Sequence, residues 1–421
     1  VPVLGTVEKI PALTDVMEIE LIIIAVPSAS VVEMQKIVEI CNSTGTPFRT
    51  LPKLNDIVEG RVALREVRAV SIDDLLGRDQ ISLDWELIKS QLSRKRVLVT
   101  GGGGSIGREL CLQLCSLDPA KLTVLDQSEY NLYRLENELQ YLDAEIDVDF
   151  VLGNVLDTVL LNHIFKRDRP QIVFHAAAYK HVPILEVQIR EAIRNNIFGT
   201  KVLAEAAHEH SVENFVLIST DKAVRPSSTM GATKRVAELL CQRMNMLSDT
   251  KFITVRFGNV LNSAGSVVPL FKEQISRGGP VTVTHKDATR FFMSIPEACQ
   301  LILEASSLGD EGDLFVLDMG EPIKITYLAE QMIKLSGHRP GEDIKLVFIG
   351  LRPGEKIAEE LFFGEEKLLK TGHDKLLLSG LGPVDFDELG RTLTTLKSSV
   401  DVNNEYEMRQ ILGQFFGNGG V

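Results

Sequence analysis

The sequence predicts an α/β protein organised around a doubly wound parallel sheet, with a smaller lobe after it and a small α/β domain before it. Three observations carry this expectation. Short apolar runs alternate with amphipathic helical patterns from Arg96 to Phe257, a glycine-rich turn joins the first of these runs to its helix, and beyond Arg256 the chain loosens into loops punctuated by Gly and Pro. Regular alternation of strand and helix favours parallel strands. A looser C-terminal lobe is expected to close over the strand ends, where such sheets bind ligands.

The elements follow in order. Leu21-Ile-Ile-Ile-Ala-Val26 reads as a strand, and Val31, Val32, Ile37, Val38 and Ile40 continue it as a helix. Thr46 to Leu51 gives the next strand, and a connector of mixed charge runs from about Pro52 to Arg96. With no glycine fingerprint, this first unit is expected to be structural or regulatory. The main series is Arg96–Thr100, Leu122–Leu125, Val148–Leu152, Ile172–His175, Phe215–Ser219 and Phe252–Phe257, followed by a β-rich patch at Val281–Thr284 and short helices. The division expected is residues 1–90 for the small domain and connector, 91–260 for the nucleotide-binding domain and 261–421 for the lobe.

Composition narrows the function. At 421 residues, 44% hydrophobic and 24% charged, the chain is long enough for two or three globular domains. A formal charge of -13 argues against a nucleic-acid partner, which calls for a basic face. Cys41, Cys111, Cys115, Cys241 and Cys299 lack zinc or disulfide spacing, so no metal site is expected. No apolar run approaches the roughly 20 residues that cross a bilayer. The opening Val-Pro-Val-Leu-Gly suggests a fragment of a longer protein.

The glycine turn has a specific context. Gly101, Gly104 and Gly107 lie between a strand and a helix, so that the turn and the helix start at Ser105 and Ile106 can present backbone N–H groups to a pyrophosphate. Asp126 ends the next strand, placed to hold a ribose 2'-hydroxyl and to repel a 2'-phosphate, which makes NAD the expected cofactor. Asn154 and Val155 would border the adenine, and Ala176, Ala177 and Ala178 allow close approach of the dinucleotide. This is the fingerprint of a Rossmann domain.

Chemistry concentrates in Ser219-Thr220-Asp221-Lys222-Ala223 and in Met230-Gly-Ala-Thr-Lys234. Met230 stands four residues before Lys234, where a short-chain dehydrogenase carries the tyrosine that exchanges a proton with the substrate hydroxyl. A thioether has no proton to exchange. Adjacent Asp221 and Lys222 supply an acid and a base instead.

Together with His175-Ala-Ala-Ala-Tyr-Lys-His-Val-Pro183, Asn196-Ile-Phe-Gly-Thr200, Arg256-Phe-Gly-Asn-Val260 and Leu351-Arg-Pro-Gly-Glu-Lys356, these motifs resemble the extended short-chain dehydrogenase/reductase superfamily. Within it the similarity, over about residues 95 to 370, is to nucleotide-sugar 4,6-dehydratases acting on UDP-N-acetylglucosamine, in the Met-containing form of the large membrane-anchored bacterial enzymes. The resemblance implies three steps: NAD+ oxidises C4, water leaves across C5 and C6, and hydride returns to C6. It implies Asp221 as acid at O6, Lys222 as base at C5, Thr220 at O4, and Lys234 and Asn196 at the cofactor. Lys180, His181, Asn259, Arg290, Arg352 and Glu355 would bind the nucleotide diphosphate and sugar. It further implies a homodimer pairing through the helix with Met230 and Lys234, a place at the cytoplasmic face of the bacterial inner membrane, and a role in glycan synthesis. A UDP-sugar 4-epimerase and a non-catalytic NAD-binding sensor are the alternatives. Asp221-Lys222 speaks against both, because neither needs an acid and a base at C6 and C5.

Overall fold

The computed structural model describes residues 2–26, 28–51, 68–76, 83–141, 146–309, 313–364, 366–380 and 384–417. Its centre is a nine-stranded sheet built from β1 (Arg96–Thr100), β2 (Lys121–Asp126), β3 (Val148–Leu152), β4 (Ile172–His175), β5 (Asn214–Ile218), β6 (Lys251–Arg256), β7 (Leu314–Leu317), β8 (Leu368–Lys370) and β9 (Leu376–Ser379). The strand order is β8-β9-β7-β6-β5-β4-β1-β2-β3. β1 to β7 run parallel, while β9 pairs antiparallel with β7 and β8 antiparallel with β9. The order reverses between β1 and β4, which opens the crevice at the strand ends that the doubly wound topology reserves for a ligand.

The six expected strands of the main series are all present. The sheet also takes in β7, β8 and β9 from the part of the chain expected to form mainly the lobe. β7 is the four-residue run Leu314-Phe-Val-Leu317, fully buried. An apolar run that short carries no periodicity to separate strand from helix. Its partner is decided by the tertiary fold.

At the N-terminal end, Ile22–Ile24 and Phe48–Thr50 form a two-stranded parallel sheet joined by the helix Val31–Thr44. That helix starts where its sequence dictates. Ser30 and Glu33 form a capping box, with each side chain accepting the other's backbone N–H. The unit shares one apolar core with the C-terminal lobe: Met34, Val38, Ile72 and Leu75 pack in the same cluster as Val268, Phe271, Leu328 and Ile333. The expected connector falls partly outside the described residues, at 52–67 and 77–82.

Two C-terminal helices, Phe386–Asp401 and Glu405–Phe415, decide what the surface offers. Leu389, Leu393, Leu396, Met408 and Leu412 bury the face formed by Ile189, Ile193, Ala232, Val236 and Leu240. That face includes one side of the helix Thr229–Asn245, which carries Met230 and Lys234. The surface expected to pair two subunits is therefore covered by the chain's own helices. Among the described residues, no helix is long and apolar enough to cross a membrane, and no His, Cys, Asp and Glu group is placed to hold a metal ion. All five cysteines are free and buried.

Candidate active site

At the end of β1 the chain turns through Gly101 in the left-handed region, at φ 68°. A Cβ there would lie 2.6 Å from the Ala177 backbone nitrogen, and a Cβ on Gly107 would lie 2.2 Å from the Gly101 carbonyl oxygen. Only glycine fits either place. The helix Ser105–Cys115 that follows has Gly104 at its N-cap and no capping side chain. Its first turn thus presents N–H groups and the positive end of the helix dipole, as a pyrophosphate requires.

Asp126 is held ready at the end of β2. One carboxylate oxygen accepts from the Gly103 N–H at 2.9 Å and the other from the Ser128 N–H at 2.8 Å. Each oxygen keeps a further lone pair for a ribose hydroxyl. Asn154 donates to Gln127 at 2.8 Å beside buried Val155. Ala176 and Ala177 back the glycine turn at Gly101 without a polar side chain, and Ala178 follows them in the chain. These residues fit a dinucleotide.

Asn196 sits in a seven-residue π-helical stretch, Ile193–Gly199, and its amide is spent internally. It accepts from the Tyr179 N–H at 2.8 Å, donates to the Tyr179 carbonyl at 3.0 Å and donates to Thr233 at 3.0 Å. The loop carrying Lys180 and His181 is fixed by these bonds. Both side chains are exposed, and the His181 ring covers the left-handed Gly265.

The second group lies at the end of β5. The Thr220 hydroxyl donates to Asp221 Oδ1 at 2.9 Å, and the Lys222 ammonium reaches the same oxygen at 2.9 Å. Lys222 also donates to Asn259 Oδ1 at 3.0 Å. Asp221 is 0% exposed, and its Oδ2 has no hydrogen-bond partner. An unpartnered buried carboxylate oxygen is uncommon and calls for an explanation.

Met230 contributes none of this polarity. It is buried with Leu185 and Ala192 in a small apolar cluster bordered by Tyr179 and Val182. Lys234, one turn on, donates to the Ile218 carbonyl at 2.7 Å, and burial pulls its ammonium down to about 8. Beneath it, Glu238 accepts from Ser219 at 2.6 Å and from the fully buried Arg256 at 2.8 Å. Although burial works the other way, Arg256 and Arg235 hold the Glu238 carboxyl down to about 2.

A strap from Arg352 to Gly364 lies over this cluster. Arg352 pairs with Glu355 at 2.6 Å, and Lys356 donates to the Val224 carbonyl at 2.9 Å. Arg290 is turned inward: it donates to the carbonyls of Thr289 at 2.7 Å, Lys356 at 2.7 Å and Ile357 at 3.0 Å. The structure brings Thr220, Asp221, Lys222 and Asn259 into contact. Arg290 lies 3.9 Å from Glu359, and burial together with the charges of Lys180 and Arg352 lowers the His181 pKa.

Sequence reasoning missed three carboxylates. Glu186 accepts from the Thr229 N–H at 2.6 Å and caps the helix of Met230, backed by Arg409 from the C-terminal helix. Glu238 anchors β6 to that helix. Glu359 reaches over from the strap, 3.8 Å from the Lys222 ammonium. In sequence each is one of many surface-like acids, and no spacing marks it.

Residues 97–379 match the profile of the family described as polysaccharide biosynthesis protein. The chain belongs to that family. It is 48% identical over 363 residues to the capsular polysaccharide biosynthesis protein CapD of Staphylococcus aureus, covering 86% of this chain and 60% of that one. The chain thus spans less than two thirds of that relative's length. Among solved structures, Pen from Bacillus thuringiensis matches with a TM-score of 0.63 at 33% identity, over 68% of this chain and 89% of that one. DesIV, the dTDP-glucose 4,6-dehydratase of Streptomyces venezuelae with NAD and DAU bound, shares the fold with a TM-score of 0.57 at 23% identity, over 64% of this chain and 89% of that one.

Proposed function

We propose that the chain is an NAD-dependent 4,6-dehydratase acting on UDP-N-acetylglucosamine for bacterial glycan synthesis. The observation that carries the reading is the contact of Thr220 and Lys222 on a single oxygen of the buried Asp221. Held by the glycine turn, Asp126 and Lys234, NAD would supply the hydride acceptor for C4 and the hydride donor for C6. The protein handles the protons. Because Thr220 already donates to Asp221, a proton leaving O4 has a route through the Thr220 hydroxyl to the carboxylate. Asp221 then gives that proton to O6, which leaves as water. Lys222 takes the C5 proton that oxidation at C4 has made acidic, and gives it back to C5 when the C5–C6 bond is reduced. The substrate's own proton count closes without a tyrosine, with Lys222 entering the C5 step as the neutral amine. Groups so placed typically contribute about 100- to 10,000-fold each.

Lys234 is proposed to hold the nicotinamide ribose, and Asp126 the adenine ribose. Lys180, His181 and Arg352 are the cations proposed for the diphosphate, with Asn259 and Glu355 at hydroxyls. Arg290 acts by fixing the strap. The name of DesIV and the glycan-related names of CapD and the family support the substrate class. A site on the cytoplasmic face of the inner membrane belongs to the same reading. Pairing of two chains is proposed to use a surface other than the helix face covered by Leu389, Leu393 and Leu396.

Incubation with NAD and UDP-N-acetylglucosamine, followed by mass spectrometry of the sugar, tests the reading. Loss of one water is expected. Unchanged mass with an inverted C4 identifies an epimerase instead, and tight NAD with no turnover identifies a sensor.

A further inference from the structure

Asp221 and Lys222 cannot do their proposed work where they now lie. Asp221 is 0% exposed and Lys222, whose side chain is 21% exposed, has its ammonium on the carboxylate. An acid at O6 and a base at C5 must both face the sugar. The contact between them has to open, and a cation leaving a buried anion needs another one within reach.

Among the described residues, the one other carboxylate within ion-pair distance of Lys222 is Glu359, with Oε1 at 3.8 Å. Its side chain is 3% exposed, and its Oε2 is buried without a hydrogen-bond partner. A buried carboxylate in that state is costly unless a partner visits it. It also has a second cation in reach. Arg290 Nε lies 3.9 Å from the same Oε1, while the rest of that guanidinium holds the strap carbonyls of Lys356 and Ile357.

We propose that Glu359 is the receiving anion for Lys222, a positioning residue that lets the ammonium leave Asp221 without becoming a lone buried charge. The inference rests on the dehydratase reading for its purpose, but its geometry is independent of it. As Asp221 takes up the O4 proton it loses its charge and its hold on Lys222. Among the described residues Glu359 is then the carboxylate left within ion-pair distance of the ammonium, and Lys222 moves toward the strap. There the ammonium passes one proton to the Glu359 carboxylate, an N–H bond breaking as an O–H bond forms, which leaves the neutral amine that takes the C5 proton; Glu359 returns its proton to Lys222 once the amine has given C5 its proton back.

Two variants and two readouts test it. Glu359→Gln should lower kcat by about 10- to 100-fold, the range of a well-placed charge, with KM within about twofold. Glu359→Asp should recover most of the loss, and both variants should melt within a few degrees of the parent. Independently of turnover, acylation of Lys222 by an amine reagent, followed by peptide mass spectrometry, should run at least about threefold faster in Glu359→Gln, because a neighbouring anion favours the unreactive ammonium. Parent kcat in Glu359→Gln overturns the proposal. So does an unchanged Lys222 labelling rate, or a Glu359→Asp variant as slow as Glu359→Gln. If the parent protein removes no water from the sugar, the dehydratase reading fails alone, and labelling still decides whether Glu359 holds Lys222.

Discussion

Asp126 and Asp221 both stand at the sheet's C-terminal edge, yet they are built in opposite ways. Asp126 has each oxygen met by a backbone N–H, beside a turn whose shape comes from missing side chains. Asp221 has one oxygen shared by two side chains and the other met by nothing. The first region is a finished mould. The second is a set of charges waiting for a partner, and its working state differs from its resting one. A binding region can be rigid before its ligand arrives, whereas a region that moves protons must keep a group unsatisfied.

Breaking the mould should have the largest effect. Gly107→Val places a branched side chain where even a Cβ would meet the Gly101 carbonyl at 2.2 Å. We expect NAD binding, followed by calorimetry, to weaken by at least about 100-fold as the turn is forced open. Binding close to that of the parent would show that the turn is not the pyrophosphate site. Breaking the charge cluster should spare binding and stop chemistry. Asp221→Asn should slow formation of reduced nicotinamide in a single turnover by about 1,000-fold, with NAD affinity within about threefold. Reduction at the parent rate would remove Asp221 from the path of the O4 proton.

Next in size is the support under the charge cluster. Glu238 is buried, and its carboxyl is held down to about 2, below the usual value of 4.5. Since the folded state lowers this value, the stabilisation is complete above pH 4.5 and is lost as pH falls toward 2. It amounts to about 3 kcal/mol at most. Glu238→Gln should flatten that part of the acid unfolding curve, and an unchanged curve would mean that other carboxylates govern it. At the alkaline end the sign reverses. Lys234, pulled down to about 8, carries a burial cost that is full below pH 8 and relieved between there and 10.5. Its charge on the cofactor side is lost over the same range, so activity should fall above pH 8 while stability does not.

The difference between the regions also decides what the sequence discloses. The mould was legible because it is made of spacing: glycines three residues apart, a strand before, a helix after and an Asp at the next strand end. Thr220, Asp221, Lys222 and Asn259 could be singled out, and the fold does bring them together. Glu359, Glu186 and Glu238 could not, since each acts through a contact across the fold that no local pattern encodes. β7 escaped for a related reason, its four apolar residues gaining meaning only between β6 and β9. The expected helix-pairing surface looked open because the two C-terminal helices that bury it lie more than 140 residues further along the chain.

Met230 should give the smallest effect. It lies 3% exposed and packs against Leu185 and Ala192. If it is a spacer rather than a proton carrier, a residue of similar volume should serve, and Met230→Leu should keep activity within about threefold. Met230→Tyr is the harsher change. The ring needs more room than the Leu185 pocket offers, which should cost about 1 to 3 kcal/mol of stability. Its phenol would also compete with Thr220 for O4, so turnover should fall by a few fold rather than rise. A Tyr variant that is faster than the parent would mean that the Thr220 to Asp221 route is a poor substitute for the missing phenol, and the cluster would then be limited by the O4 proton itself.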